Sequence, residues 1–170
     1  MKLRAIPVSS MLFATLLLGA CASTPPAPGA GAQVDARSGS TVSGNVTFSD
    51  LGGAVQVDAK FAGLTPGEHG FHVHEAGDCS AADASSAKGH YNPAGQRHGH
   101  HDSKVRHGGD MPNLVANAQG EARLSAELKD LTVSELVGRS VVVHADPDDY
   151  MSQPAGNSGK RIACGVIAAR

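Results

Sequence analysis

Six histidines and one aspartate between positions 72 and 144 are the side chains of this sequence best suited to chemistry. They are His72, His74, His90, His98, His107, Asp110 and His144. Neutral imidazole is a preferred ligand of copper and zinc, and a carboxylate beside several histidines fits a tetrahedral zinc ion. The sequence therefore predicts a metal-binding protein, and the spacing indicates two different sites.

The ligands of one predicted site lie on strands. His72 and His74 are two positions apart in an apolar stretch, so in a strand both imidazoles lie on one face and can bind the same ion. His144 directly follows three valines at 141–143, and a strand of that composition presents a ligand from a rigid element.

The other predicted site lies in a segment without a regular pattern. Residues 75–113 are rich in Gly, Ala, Ser, Asp and His and show no sustained helical or strand periodicity. A compact domain seldom has so long a loop without a reason, and metal coordination would order it. Four candidate ligands lie there, spaced by 8, 9 and 3 positions: His90, His98, His107 and Asp110. Three nitrogens and one carboxylate oxygen are typical of a closed, structural zinc site.

Alternating apolar residues predict strands around these loops. Apolar and polar residues alternate over 42–48 and 55–61, and the turn sequence at 50–53 predicts a hairpin. Further strands are predicted at 70–74, 113–118, 122–128, 141–144 and 162–167, with a helical turn at 134–137 and a second long loop at 145–160. Short strands separated by frequent turns are typical of an antiparallel sandwich or barrel.

Length and charge narrow the classes of function. The chain has 170 residues, and its 21 glycines and 4% aromatic residues favour turns and short strands over long helices. A formal net charge of −2 argues against nucleic acid as a partner, since that would require a basic face. A small anionic substrate remains compatible, because a local positive pocket can guide an anion into a neutral protein.

The N-terminus has the pattern of a targeting segment. Two basic residues within the first four positions precede an apolar stretch, 11–18, that is too short to span a membrane. Leu-Gly-Ala-Cys at 18–21 resembles the lipobox of bacterial lipoproteins, which predicts a signal peptide over 1–20 and a lipid on Cys21. The alternative is an ordinary secretory peptide cut near Ala20 or Ala22. Either way the protein is exported.

The segment after the signal peptide is predicted to be a flexible tether. Residues 21–36 are small, rich in Pro and Gly and nearly uncharged, so they can bury little apolar surface. With a lipid on Cys21 they would connect the domain, 37–170, to a membrane. Ala22 is not the aspartate that commonly retains lipoproteins at the inner membrane, so we expect a periplasmic lipoprotein of the outer membrane.

The cysteine count supports export. If Cys21 carries a lipid, Cys79 and Cys164 remain to form one disulfide. The alternative, two free thiols acting as soft metal ligands, is less favoured outside the cytosol.

Several motifs, all in the same order, strongly resemble those of copper–zinc superoxide dismutases. They are Gly-Phe-His-Val-His-Glu at 70–75, Gly-His-Tyr-Asn-Pro at 89–93, Arg-His-Gly-Gly-Asp at 106–110 and Gly-Lys-Arg-Ile-Ala-Cys-Gly-Val-Ile at 159–167. The stretches at 109–114 and 146–150 are most similar to the exported bacterial branch. The resemblance implies an all-β, antiparallel Greek-key sandwich or barrel of about eight short strands with two long functional loops.

The resemblance also implies the ligands of two metal ions. Copper would be held by His72, His74, His90 and His144. Zinc would be held by His90, His98, His107 and Asp110. His90 would bridge the two ions as an imidazolate.

The resemblance also implies roles for residues outside the two sets of metal ligands. Asp148 would accept a ring N–H from one ligand of each metal, with Asp149 as its rival for that role. Arg161 would dock a small anion beside the copper. The Cys79–Cys164 disulfide would hold the first long loop against the barrel.

The implied activity is the dismutation of superoxide to oxygen and hydrogen peroxide. Histidine-bound copper would be reduced and reoxidised in alternation, while zinc would be structural. Arg161 and His90 would be catalytic, the latter because its nitrogen takes up a proton when its bond to copper breaks. An exported enzyme of this kind would protect the cell envelope, as a monomer or as a homodimer.

Two other functions explain parts of the sequence. An exported metal buffer or donor would use the same ligands, although inactive relatives usually lack a copper ligand or the arginine, and both are present here. An adhesion domain would leave the histidines unexplained. The resemblance implies no role for His69, His100 or His101. We expect the last two to be solvated, with adventitious capture of a metal ion near the mouth of the site as the alternative.

Overall fold

The computed structural model describes residues 29–170, and strands account for most of their regular structure. The strands are β1 (Gly29–Ala36), β2 (Ser43–Asp50), β3 (Ala54–Ala62), β4 (Gly67–His69), β5 (Phe71–His74), β6 (Leu114–Ala116), β7 (Ala122–Lys129), β8 (Ser140–His144), β9 (Arg161–Val166) and β10 (Ala168–Ala169). One short α-helix, α1 (Val133–Leu136), forms where a helical turn was predicted. Among the residues described, no helix has the length and apolar character needed to cross a membrane.

Antiparallel pairing nearly closes the sheet into a barrel. The strands pair in the order β4-β6-β7-β3-β2-β1-β9-β8-β5, and β10 pairs with β1. The two end strands, β4 and β5, are separated in the chain by Gly70 alone, so the sheet must curl back on itself. The predicted all-β antiparallel fold is confirmed, with nine strands along the barrel where about eight were expected.

The alternating pattern of the first hairpin places its apolar side chains in the core. Residues 43–50 pair with 55–62 in a continuous antiparallel register, as predicted. Val46 and Phe48 of β2 are buried, and Phe61 of β3 packs edge-on against Phe71 of β5, with ring centroids 5.5 Å apart. Each large apolar side chain buried in this way contributes about 1.5–3 kcal/mol. The packed core of the barrel thus holds the ends of its strands in fixed positions.

The prediction of a tether extending to residue 36 was wrong. Residues 29–36 form β1, which pairs with β2 along one edge and with β9 and β10 along the other. Ala30, Ala32 and Val34 are buried, and their small side chains allow close packing inside the barrel. Composition suggested that nothing here could be buried, but backbone pairing on both edges stabilises the strand. The predicted signal peptide and the rest of the tether, 1–28, lie outside the described residues.

Backbone pairing and a disulfide attach the first long loop, 75–113, to the barrel. The Val73 N–H donates to the Gly109 carbonyl at 2.9 Å, and the Tyr91 N–H donates to the Val73 carbonyl at 2.8 Å. Cys79 and Cys164 form the predicted disulfide, with a sequence separation of 85 residues, so they are not free thiol ligands. In the loop-entropy model a bridge over such a span stabilises the fold by about 4 kcal/mol.

Candidate metal centre

Neighbouring elements bring predicted ligands to one edge of the barrel. His72 and His74 lie on β5, which pairs with β8 so that Phe71 is opposite Val143. The next residue along β8, His144, donates its backbone N–H to the Gly70 carbonyl at 2.8 Å. Isolated backbone bridges then connect His74 to His90 and His72 to Asp110, which draws the first long loop onto β5.

The first cluster comprises four buried histidines: His72, His74, His90 and His144. One ring nitrogen of each lies within 4.8 Å of the others. Nε2 of His74 and Nε2 of His144 are 3.4 Å apart, close to the separation of two tetrahedral ligands with bonds of about 2.0–2.1 Å. The cluster contains the same residues as the predicted copper site.

Two ring nitrogens of the first cluster have no hydrogen-bond partner among the described residues. Within residues 29–170, Nδ1 of His72 and Nε2 of His90 are buried and have no hydrogen-bond partner. Buried polar atoms are normally paired, so each orphan requires an explanation. The other nitrogen of each ring is already engaged, by Asp148 at 2.8 Å and by Asp110 at 2.9 Å. An all-imidazole set with free lone pairs fits a copper ion.

The second cluster comprises His90, His98, His107 and Asp110, all buried. Oδ1 of Asp110 lies 2.9, 3.1 and 3.3 Å from the Nδ1 atoms of His90, His98 and His107, respectively. Oδ2 of Asp110 accepts the His107 backbone N–H at 2.8 Å, which orients the carboxylate. These separations and the closed N₃O donor set fit a tetrahedral zinc ion.

His90 belongs to both clusters and connects them. Its Nδ1 faces the second cluster, 3.4 Å from Nδ1 of His107, whereas its Nε2 is one of the two unpartnered nitrogens of the first cluster. Its ring stacks on His72 with centroids 3.9 Å apart. One imidazole therefore offers a nitrogen to each of two sites, as the predicted bridge requires.

Asp148 joins the clusters from the second long loop. Its Oδ2 lies 2.8 Å from Nε2 of His72, and its Oδ1 lies 2.9 Å from Nε2 of His98. Burial opposes ionisation, but hydrogen bonds with these rings and with the Tyr150 N–H hold the pKa of the Asp148 carboxyl well below its usual range. The rival Asp149 is exposed and accepts the N–H of Met151 instead.

The first cluster favours neutral rings. Burial lowers the pKa of all four of its histidines below the ordinary value of 6.5, and it lowers that of His90 to about 4. Neutral imidazole is the form that binds a metal, so these rings need to lose no proton at pH 7.

The second cluster carries charge. Burial opposes ionisation of Asp110, yet hydrogen bonds with His107, His90 and His98 hold the pKa of this carboxyl far below its usual range. Burial likewise opposes a proton on His98, but its bonds to Asp110 and Asp148 raise the pKa of His98 to about 9. Without a metal, His98 therefore holds a proton that a bound cation would displace.

Arg161 lies beside the first cluster. Its guanidinium donates to the Ala84 carbonyl at 2.8 Å and to the Lys88 carbonyl at 2.6 Å. The same Lys88 carbonyl is 2.9 Å from Nδ1 of His74, so one backbone oxygen connects the arginine to a ligand of the first cluster. Arg161 and His144 line the same open depression, which places a fixed cation beside the buried rings.

Sequence reasoning missed two contributors to this centre. His69 is buried, with Nδ1 2.9 Å from the His144 carbonyl and Nε2 2.8 Å from the Thr65 carbonyl, so it supports the backbone at His144. Its position two residues before the strand of paired histidines was an available signal. The Lys88 carbonyl had no signal, because a backbone group is not visible in a residue pattern. Of the pair expected to be solvated, His100 is exposed and His101 is partly buried.

Known proteins are similar to this chain in sequence. Residues 42–167 match the family model described as copper/zinc superoxide dismutase (SODC). "Superoxide dismutase [Cu-Zn]" of Paramecium bursaria Chlorella virus 1 is 43% identical over 136 residues, covering 74% of this chain and 72% of that protein. "Superoxide dismutase [Cu-Zn] 2" of Aquifex aeolicus (strain VF5) is 41% identical over 135 residues, covering 74% of this chain and 79% of that protein.

A solved structure has the same fold. The crystal structure of the clock protein EA4 superposes with a TM-score of 0.76 at 37% sequence identity, covering 86% of this chain and 97% of that one.

Asp148→Asn should weaken metal binding at both clusters. An amide can accept a ring N–H through its oxygen only, so either His72 or His98 loses its partner. Losing such a contact weakens metal affinity by about 10–100-fold. Competition of the bound metals against a chelator measures the effect. Asp149→Asn is the matched control, and equal metal retention in the two variants would contradict the role of Asp148.

Acidification should destabilise the metal-free protein between pH 6.5 and 4. The histidines of the first cluster take up protons near pH 6.5 when the chain is unfolded but only at lower pH when it is folded. The unfolded state therefore binds more protons in this window, and stability falls as the pH falls. His98, with its pKa of about 9, is protonated in both states there and does not oppose the trend.

Thermal unfolding of the chelator-treated protein at several pH values measures this dependence. A melting temperature that stayed constant or rose from pH 6.5 to 4 would show that the cluster is not buried in its neutral form.

Proposed function

The chain belongs to the copper/zinc superoxide dismutase family, and from this premise we infer that its first cluster binds copper and its second cluster binds zinc. Membership makes it a superoxide dismutase, an enzyme that converts two superoxide anions and two protons into oxygen and hydrogen peroxide. The observation that carries the assignment is the shared His90, whose two nitrogens face different donor sets.

The donor sets decide which metal suits which cluster. The first cluster is all imidazole and borders an open depression, which suits an ion that must meet a substrate. The second combines three imidazoles with a carboxylate and is buried, which suits a structural zinc ion. When bound, copper supplies one-electron transfer in both directions, and zinc, which has no redox chemistry, supplies structural order.

Arg161 is proposed to bind and orient the substrate. Its guanidinium is held by two carbonyls, which fixes its direction and keeps it beside His144. A planar cation with several N–H donors suits a small oxyanion better than a flexible lysine would.

His90 is proposed to hold a proton for the product. Its Nε2 is buried without a partner in the described part of the chain, so a proton placed there has no competing acceptor. A positioned imidazole N–H is a general acid, so a proton at this nitrogen is available to a developing peroxide.

His144→Ala is expected to abolish dismutation while zinc is retained. The variant removes one ligand of the first cluster and leaves all four side chains of the second in place. Dismutase assays together with copper and zinc analysis of the purified protein measure both effects. Activity that survived this change would overturn the copper assignment. A wild-type protein with both metals bound and no turnover would instead indicate a metal buffer.

Arg161→Met separates substrate guidance from metal binding. We expect both metals to remain, because the Arg161 guanidinium donates to two carbonyl groups and not to a ligand side chain, while kcat/KM falls by at least about tenfold and becomes less sensitive to salt. Arg123→Met, on the exposed side of β7, is the control that removes the same charge elsewhere. An equal fall of kcat/KM in both variants would contradict a specific role for Arg161.

We further propose that the enzyme acts at the cell envelope as a lipoprotein anchored through Cys21. The support is the targeting pattern over 1–21, together with the Cys79–Cys164 disulfide, which is favoured in an oxidising compartment. Such a location would let the enzyme protect the envelope against superoxide.

Cys21→Ser is expected to release the protein from membranes. In bacterial cells that express the full chain, the variant should move to the soluble fraction and lose labelling by a radioactive fatty acid, with Ser23→Ala as the control. Membrane fractionation unchanged by Cys21→Ser would refute the anchor.

A further inference from the structure

Three ligand-type side chains lie together outside both clusters, on the surface of the first long loop. They belong to His100, His101 and Asp102, and one potential ligand atom of each lies within 4.8 Å of the others. We propose that they form a third metal site, which binds a divalent ion of the Zn²⁺ or Cu²⁺ class. The mechanism above uses none of these residues.

The spacing of the three side chains suits one ion. Nε2 of His101 is 3.3 Å from Oδ2 of Asp102, close to the separation of two ligands on a tetrahedral ion. The rings of His100 and His101 are 4.1 Å apart at their centroids. Nδ1 of His100 accepts the Asp102 backbone N–H at 3.2 Å, which turns its lone pair towards Asp102, and an ion bound at this nitrogen would replace that long hydrogen bond. Two imidazoles and a carboxylate are a donor set that both Zn²⁺ and Cu²⁺ accept.

Protein contacts leave one ring nitrogen of this group without a partner. Nδ1 of His101 is buried and has no hydrogen-bond partner within residues 29–170. The 3.3 Å contact between His101 and Asp102 is longer than the 2.7–2.9 Å or so of a charge-assisted hydrogen bond. The cluster is therefore poorly explained as a structural ion pair.

Neighbouring groups hold the His100 ring in place before any ion binds. The ring of His100 packs edge-on against Tyr150, with centroids 4.6 Å apart. The Ser103 N–H donates to the His100 carbonyl at 2.7 Å and closes a turn around the cluster. Because this ring is already ordered, binding an ion to it costs less conformational entropy than it would on a flexible side chain.

Gly99 separates His98 of the second cluster from the proposed site along the chain. Its N–H donates to Oδ2 of Asp110 on the inner side, and a Cβ at this position would collide with the Val105 carbonyl. His98 therefore faces inward to Asp110, whereas His100 and His101 follow on the outer side. The third site has its own ligands and can be tested with the other two filled.

Nearby cations make the site weaker than the buried clusters. Nζ of Lys129 lies 3.8 Å from Oδ1 of Asp102, and Arg106 donates to the Lys129 carbonyl at 3.1 Å. The Lys129 side chain is 59% exposed, so it can turn away when an ion binds to Asp102. We expect micromolar rather than tighter binding.

Calorimetric titration with Zn²⁺ tests the proposal on protein that already contains one copper and one zinc per chain. We expect one further Zn²⁺ to bind. Because losing even an outer partner of a ligand weakens metal affinity by about 10–100-fold, His100→Ala and His101→Ala should each weaken this binding by at least about tenfold. Asp102→Asn should weaken it as well, and Lys104→Ala, an exposed change in the same loop, should not.

Copper and zinc content and dismutase activity, measured on the same samples, keep the proposals separate. They should be the same in all these variants and in the wild type, since none removes a ligand of either cluster. A wild-type protein that takes up no additional Zn²⁺, or equal uptake by the three ligand variants and Lys104→Ala, would overturn the third site without affecting the dismutase assignment.

Discussion

The buried carboxylate of Asp148 holds three separate parts of the chain in one arrangement. It lies in the second long loop, and its two oxygens contact His72 on β5 and His98 in the first long loop. Asn113 holds it in turn, because its side-chain oxygen accepts the Asp148 N–H and its amide donates to the Asp148 carbonyl. A buried charge of this kind is stable only when its oxygens are paired, so both loops must close for either to be stable.

The barrel and the first long loop are stabilised by different interactions. Hydrophobic burial orders the strands, because each strand places one face in a shared core. The loop over 75–113 has few apolar residues of its own and must offset a large loss of conformational entropy in other ways. It does so through backbone pairing to β5, the disulfide to β9 and the polar network of the two clusters. The predicted metal ligands are therefore also among the residues that order the loop.

The side chain proposed to guide the substrate and a proposed copper ligand meet at a single backbone atom. The Lys88 carbonyl contacts both the Arg161 guanidinium and the His74 ring, so any shift of this carbonyl moves the two together. Lys88 has a positive φ of 62°, a conformation that is unusual for a residue with a side chain. The disulfide is nearby in sequence on both sides, through Cys79 before Lys88 and Cys164 after Arg161. The rigidity of this corner keeps a cation at a constant distance from the first cluster.

The sequence by itself determined the donor types, their order and most of the strands. Strict alternation predicted the hairpin of β2 and β3, because it is a local consequence of having one face in the core. Motif order indicated the family. Composition misjudged β1, because Ala and Gly carry little hydrophobic signal and the strand is stabilised by backbone pairing with distant partners.

Only the tertiary structure decided which atoms meet. It showed that Asp148 and not Asp149 faces inward, that His69 supports His144, and that one carbonyl joins Arg161 to His74. It also turned His100 and His101 away from the second cluster. Each of these facts depends on contacts between residues far apart in the chain or on the direction of a loop. Long-range contacts and loop directions produce no periodic pattern of residue types, so the sequence alone does not predict them.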